Sequence, residues 1–235
     1  MKRKTKRIRI AIIVTVSLFL LIFGGFYIYT LDYYRADQEA KDVIELSDNV
    51  EIDNKLTIFY PNNDNQTNVG LIFYPGGKVE AAAYAPLLES LAQNGITCVL
   101  IEMPFNLAVF NINAADKIYN EFPDITSWYI SGHSLGGAMA SSYVDKHRSK
   151  LDGLILLGAY PINDSELPTL VIYGSEDVNL DLTKITSVKD KIEITGGNHA
   201  YFGNYGEQTG DGKASISRTE QQAITTQAIT EFIFQ

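Results

Sequence analysis

Cysteine and tryptophan each occur once in this chain, and histidine only three times. A single thiol cannot close a disulfide within the chain, so stability has to come from a packed core. The 185 residues beyond position 50 are enough for one domain with such a core. Three histidines leave few positions that can supply imidazole chemistry. Acidic residues are missing from the first 31 positions, and there is no internal repeat or low-complexity run. The formal charge is −9, from 28 Asp and Glu against 19 Lys and Arg. Six of the basic residues (Lys2, Arg3, Lys4, Lys6, Arg7 and Arg9) precede position 10, so 13 remain to face all 28 acids, a formal −15. That surplus argues against binding nucleic acid or an anionic polymer through net charge. It leaves a neutral ligand open and is accounted for by solubility.

What the N-terminus does have is an uncharged run over residues 10–31, rich in Ile, Val, Leu and Phe. As a helix it spans about 33 Å, enough to cross a bilayer. The six basic residues keep residues 1–9 in the cytoplasm and put everything after Leu31 outside. Phe26, Tyr27, Tyr29, Tyr33 and Tyr34 gather at the outer end as an interfacial belt would. A cleaved signal peptide has a similar basic region and apolar core. No A-x-A-like site follows the run, however, and no cysteine stands there for lipidation. The expectation is an uncleaved, single-pass signal anchor over 10–31, a charged, helix-compatible stalk or first short helix over 32–49, and one extracellular domain over 50–235.

Within that domain, apolar strand-like runs alternate with helix-like ones. Residues 51–60 open as a strand or hairpin, and 61–68 form a polar loop. Strands are expected at 69–74, 96–101, 128–131, 154–157, 169–173 and 191–195. Residues 81–94 carry Tyr84, Leu87, Leu88 and Leu91 at helical spacing, which reads as core packing. Further helices are expected near 114–121, after 134, and at 219–234. Such alternation predicts a mostly parallel sheet with helices on both faces.

The chemistry-bearing motif is Gly132-His133-Ser134-Leu135-Gly136, between an aromatic, β-branched run and a helix-compatible one rich in small residues. A G-x-S-x-G pentapeptide is weak evidence alone, but a strand before it and a helix after it describe a sharp turn. Such a turn strains the serine backbone and lifts the hydroxyl above the sheet, with a helix N-terminus behind it. The turn resembles the nucleophile elbow of the α/β-hydrolases, which implies an acid and then a histidine, each beyond a later strand. His133 lies inside the turn and is expected to point away from the serine's partner. His147 sits in a charged, solvated helix end, which leaves His199 after the strand 191–195 and Gly196-Gly197-Asn198. The acid is Glu176 or Asp177, in the loop after the strand 169–173. Donors for an oxyanion are expected from the Leu135 N–H and from the loop Pro75-Gly76-Gly77-Lys78, at Gly77 or its neighbour Lys78.

With these features the chain resembles the α/β-hydrolase superfamily, in a serine-nucleophile bacterial branch near the dienelactone-hydrolase-like proteins. The resemblance runs from about residue 50 to the C-terminus. Its specific stretches are 73–80, 103–109, the elbow itself and 196–203. It implies Ser134 as nucleophile, His199 as general base and Asp177, in preference to Glu176, as orienting carboxylate, with no metal or cofactor required. Dienelactone hydrolases carry cysteine in the elbow; here Cys98 falls in the strand 96–101, so it reads as core packing and their chemistry is not expected to carry over.

The segment 159–168 is too short for the cap domain that many such enzymes insert, so the site is expected to be shallow and open. Loops 106–113 and 203–212 are the segments that can wall it, and Lys78 and Glu80 are the side chains that can reach substrate. The resulting expectation is a membrane-anchored extracytoplasmic serine hydrolase, acting on a carboxylic ester or related acyl bond of a small molecule. The same machinery serves an amidase, peptidase or acyltransferase, and the fold also serves non-catalytic binding modules. An imidazole base must be neutral and histidine ordinarily titrates near pH 6.5, so activity is expected to rise through mildly acidic pH.

Overall fold

The computed structural model describes residues 2–62, 64–163 and 166–235. Met1 of the basic tail, Asn63 of the polar loop, and Asp164 and Ser165 of the short segment expected to lack a cap lie outside the described residues. The chain divides into two compact units, residues 1–33 and 34–235. The first is helix α1, Lys2–Leu31, of which Lys6–Leu31 is long and apolar enough to cross a membrane.

The second unit is built on eight hydrogen-bonded strands. They are β1 (Val50–Asp53), β2 (Leu56–Phe59), β3 (Val69–Tyr74), β4 (Thr97–Ile101), β5 (Ser127–His133), β6 (Gly153–Leu157), β7 (Thr169–Gly174) and β8 (Asp190–Ile194). Their order across the sheet is β1-β2-β4-β3-β5-β6-β7-β8. The hairpin β1–β2 joins β4 antiparallel, and every other pairing is parallel. β3, β4 and β6 are buried along their whole length, as strands covered on both faces must be.

Strand alternation divides the core in two. Leu71, Phe73, Cys98, Leu100, Ile155 and Leu157 face one layer, where they meet helices α2 (Gln38–Leu46), α3 (Ala85–Gln93) and α6 (Arg218–Phe234). Ile72, Tyr74, Val99, Ile101, Leu154 and Leu156 face the other, with α5 (Leu135–His147) and the single turns at Ala114–Lys117 and α4 (Ile118–Glu121). Cys98 is fully buried, and burial raises its thiol pKa, so it is an inert core residue.

Two expectations change. Residues 34–49 are no stalk: the compact unit begins at Tyr34, with Ala36 and Ala40 in the core. Asp37 caps α2 by accepting the Ala40 N–H at 3.0 Å and receives Arg218 of α6 at 2.8 Å, while Ser47 donates to Glu89 of α3 at 2.6 Å. His147 is not free in solvent either. Its ring stacks on Tyr143 at 4.0 Å and its Nε2 lies 3.3 Å from Asp116.

This layering sets a contrast that denaturant unfolding can measure. Leu156→Ala, at a fully buried position in a central strand, is expected to cost about 2–5 kcal/mol. Ile52→Ala, on an edge strand and 63% exposed, is expected to stay within about 0.5 kcal/mol of the parent.

Candidate active site

Four strands of the parallel sheet end on one edge, and the candidate residues follow them: Gly77 after β3, Ser134 after β5, Asp177 after β7 and His199 after β8. Ligands collect at this carboxyl edge in open α/β sheets. Ser134 joins β5 to α5 with φ 51° and ψ −121°, a conformation costing about 1–3 kcal/mol for a residue with a side chain. Its N–H donates to Leu157 O at 2.9 Å, pinning the turn to β6. The flanking glycines are required by contact. A Cβ on Gly136 would lie 2.2 Å from the carbonyl oxygens of Tyr74 and Pro75, and one on Gly132 would lie 2.5 Å from the Gly136 carbonyl carbon. The elbow therefore rests on the end of β3, where the other loop of the site starts.

Asp177 and His199 form a buried pair, with Oδ2 and Nδ1 2.8 Å apart. The other carboxylate oxygen accepts the N–H groups of Asn179 and Leu180 at 2.9 and 3.1 Å. A carboxylate on Nδ1 holds the ring proton there and leaves Nε2 to accept another. Glu176, the other carboxylate considered, is exposed and accepts from the Ser175 hydroxyl at 3.0 Å. Gly158, at the end of β6, went unremarked in the sequence: with φ +51°, a Cβ there would sit 2.9 Å from His199 Nδ1 and 3.0 Å from Asp177 Oδ2.

In the loop after β3, the Gly76 N–H donates to the Tyr84 hydroxyl at 3.0 Å, Lys78 N–H to Asn106 O at 2.8 Å and Val79 N–H to Gly76 O at 3.2 Å. Among the described residues this leaves the Gly77 N–H as the loop's uncommitted donor. Gly77 packs directly against Leu135, whose Cδ2 would be 2.8 Å from an added Cβ. A cleft of about 250 Å³ opens here, lined by Tyr34, Gly76, Gly77, Lys78, Val79, His133, Ser134, Gln208 and Thr209. The loop 203–212 thus supplies one wall. Glu80 is turned elsewhere, with its carboxylate accepting the Ala36 N–H at 2.9 Å. Among the described residues, no group of three or more His, Cys, Asp or Glu is placed to hold a metal ion.

The alpha/beta hydrolase family profile matches residues 70–223. The chain belongs to that family. Among solved structures, this alpha/beta hydrolase is similar to Est1E from Butyrivibrio proteoclasticus, at 16% identity over 78% of this chain and 96% of the other, with a TM-score of 0.54. It is similar also to a Pyrobaculum calidifontis esterase, at 13% identity over 83% and 88%, TM-score 0.59. The dienelactone hydrolase from Anabaena variabilis is 15% identical over 76% and 89%, TM-score 0.57. No curated protein matches the chain.

The hydrolase also holds a buried pair that the sequence did not reveal. His133 does not point away from the site: its ring centroid is 4.5 Å from that of His199. Its Nδ1 is 2.8 Å from the hydroxyl of Tyr84. The same hydroxyl oxygen accepts the Gly76 N–H. Burial, and secondarily the neighbouring His199, hold the His133 pKa well below 6.5. Tyr84 thus ties the loop after β3 to the elbow through one buried oxygen.

Two outcomes follow for this alpha/beta hydrolase. Tyr84→Phe strands the Gly76 N–H and His133 Nδ1, and is expected to lower unfolding free energy by about 1–3 kcal/mol. Because native His133 resists protonation, the unfolded state binds the extra proton below about pH 6.5. Stability is then expected to fall with pH by up to about 1.4 kcal/mol per unit from this residue, down to its lowered native pKa. Urea unfolding of His133→Gln across pH 5 to 7 is expected to show a shallower slope; an unchanged slope contradicts the assignment.

Proposed function

We propose that the protein is a serine hydrolase of carboxylic esters, anchored in the membrane by α1 with its catalytic unit outside. The observation that carries this reading is the buried 2.8 Å Asp177–His199 pair, on the same sheet edge as a strained serine that lines the cleft. In this mechanism Ser134 Oγ attacks the ester carbonyl while His199 Nε2 takes its proton. The tetrahedral oxyanion is held by the N–H groups of Leu135 and Gly77. The C–O bond then breaks, and the leaving alkoxide receives the proton from His199. Water, deprotonated by the same imidazole, releases the acid and restores the serine. Asp177 keeps the ring in the required tautomer and stabilises the imidazolium.

The esterases among the fold neighbours support an ester as the acyl bond. The six basic residues before the apolar helix support the outward topology.

Ser134→Ala is expected to abolish both labelling by a fluorophosphonate probe and turnover of a short-chain chromogenic ester. Labelling that survives the substitution refutes the nucleophile. Asp177→Asn is expected to reduce kcat by about 10⁴-fold, the size of effect known for losing the carboxylate that orients a triad histidine. Protease added to intact cells is expected to remove the domain, and a protected domain reverses the topology.

A further inference from the structure

The cleft has an unusual wall. Tyr34 lines it, and Tyr34 is the third residue after Leu31, where the apolar helix ends. A trans chain advances at most about 3.6 Å per residue, so three steps reach no further than about 11 Å. Tyr34 is built into the site as well. Its N–H donates to Lys78 O at 2.8 Å, its carbonyl accepts the Glu80 N–H at 2.9 Å, and its hydroxyl accepts the Thr209 N–H at 3.1 Å. The segment leaving the apolar helix is thereby laced to the oxyanion loop on one side and to the 203–212 wall on the other.

The volume points the same way. At about 250 Å³ the cleft falls below the 300–1,000 Å³ typical of sites that enclose a drug-sized ligand. A substrate larger than that must lie partly outside it. Beside the oxyanion loop, joined to it by the Lys78–Asn106 hydrogen bond, Phe105, Val109 and Phe110 are 49%, 48% and 51% exposed. Phe105 also holds a left-handed φ of 57°, a strained setting for an aromatic residue. Exposed apolar side chains that include Phe are what interfacial segments bury at the headgroup–acyl boundary. The formal −15 beyond residue 31 disfavours an anionic headgroup.

We propose that the substrate is an acyl ester of a neutral or zwitterionic membrane amphiphile, whose chain stays in the bilayer while its ester carbonyl enters the cleft. This rests on the ester-hydrolase and anchor reading above and adds the substrate class to it. The short Asp32-Tyr33 connection limits how far Tyr34, a wall of the cleft, can lie from the end of the apolar helix.

The test uses the full-length protein in phosphatidylcholine vesicles with two chromogenic esters of the same leaving group, water-soluble 4-nitrophenyl butyrate and bilayer-partitioned 4-nitrophenyl palmitate. A second protein carries ten Gly/Ser residues inserted between Leu31 and Asp32, a spacer with a root-mean-square length of about 18 Å. The parent is expected to turn over the bilayer ester at least tenfold faster than the soluble one at equal bulk concentration. The spacer is expected to cut turnover of the bilayer ester at least tenfold and to leave the soluble ester within twofold. Hydrolysis of the soluble ester alone by the parent, or equal retention of both by the spacer variant, overturns the substrate class while the hydrolase reading stands. Turnover of neither ester, with no fluorophosphonate labelling of Ser134, overturns both.

Discussion

The turn at Ser134 closes because two stretches of backbone touch. Gly136 lies so near the carbonyls of Tyr74 and Pro75 that no side chain fits between them, and Gly132 has no room for one against Gly136. This contact joins the end of β3 to the start of α5, and the same packing sets Gly77 against Leu135. The strain at φ 51° is local, whereas what opposes its release is not. β3, β5 and β6 are hydrogen-bonded side by side in the sheet, and most of their residues are fully buried.

The Asp177–His199 half of the candidate site hangs on β7 and β8 and is fixed from behind by α6. The Gln221 side chain accepts the Asn198 N–H at 3.0 Å and donates to Asn198 O at 2.8 Å, both buried. Asp211 accepts the Ala200 N–H at 2.8 Å. The residues on either side of His199 are therefore clamped, and the ring is held by Asp177. The two halves meet where His133 lies against His199. Two imidazoles at that distance resist carrying charge together, and burial keeps His133 the neutral one.

Much of this was legible in the sequence because it is written locally. Continuous apolar runs announced the buried parallel strands, and the elbow declared itself by residue identity at fixed spacing. Asp177 and Glu176 are adjacent carboxylates on one loop, and only the turn that feeds the Asn179 and Leu180 N–H groups to Asp177 separates them physically. Tyr84 was correctly read as core-facing, but nothing in its helical spacing says where its hydroxyl lands. For His133 a signal existed: two-residue alternation along β5 puts it on the face of Tyr129 and Ser131, against α3 and α6, and not out toward solvent. Residues 34–49 look like a stalk because their ties are polar and long-range, such as Asp37 to Arg218 and Glu39 to Asn204. No local pattern reports a partner 165 or more residues away.

The account stands on Ser134 forming a covalent acyl intermediate. Rapid acid quench during turnover of a slowly deacylating ester, followed by peptide mass spectrometry, tests this most directly. The account predicts one acyl group per chain, carried on the peptide that contains Ser134 and absent from Ser134→Ala. Steady turnover with no acyl group on that peptide, or with the group on another residue, contradicts it.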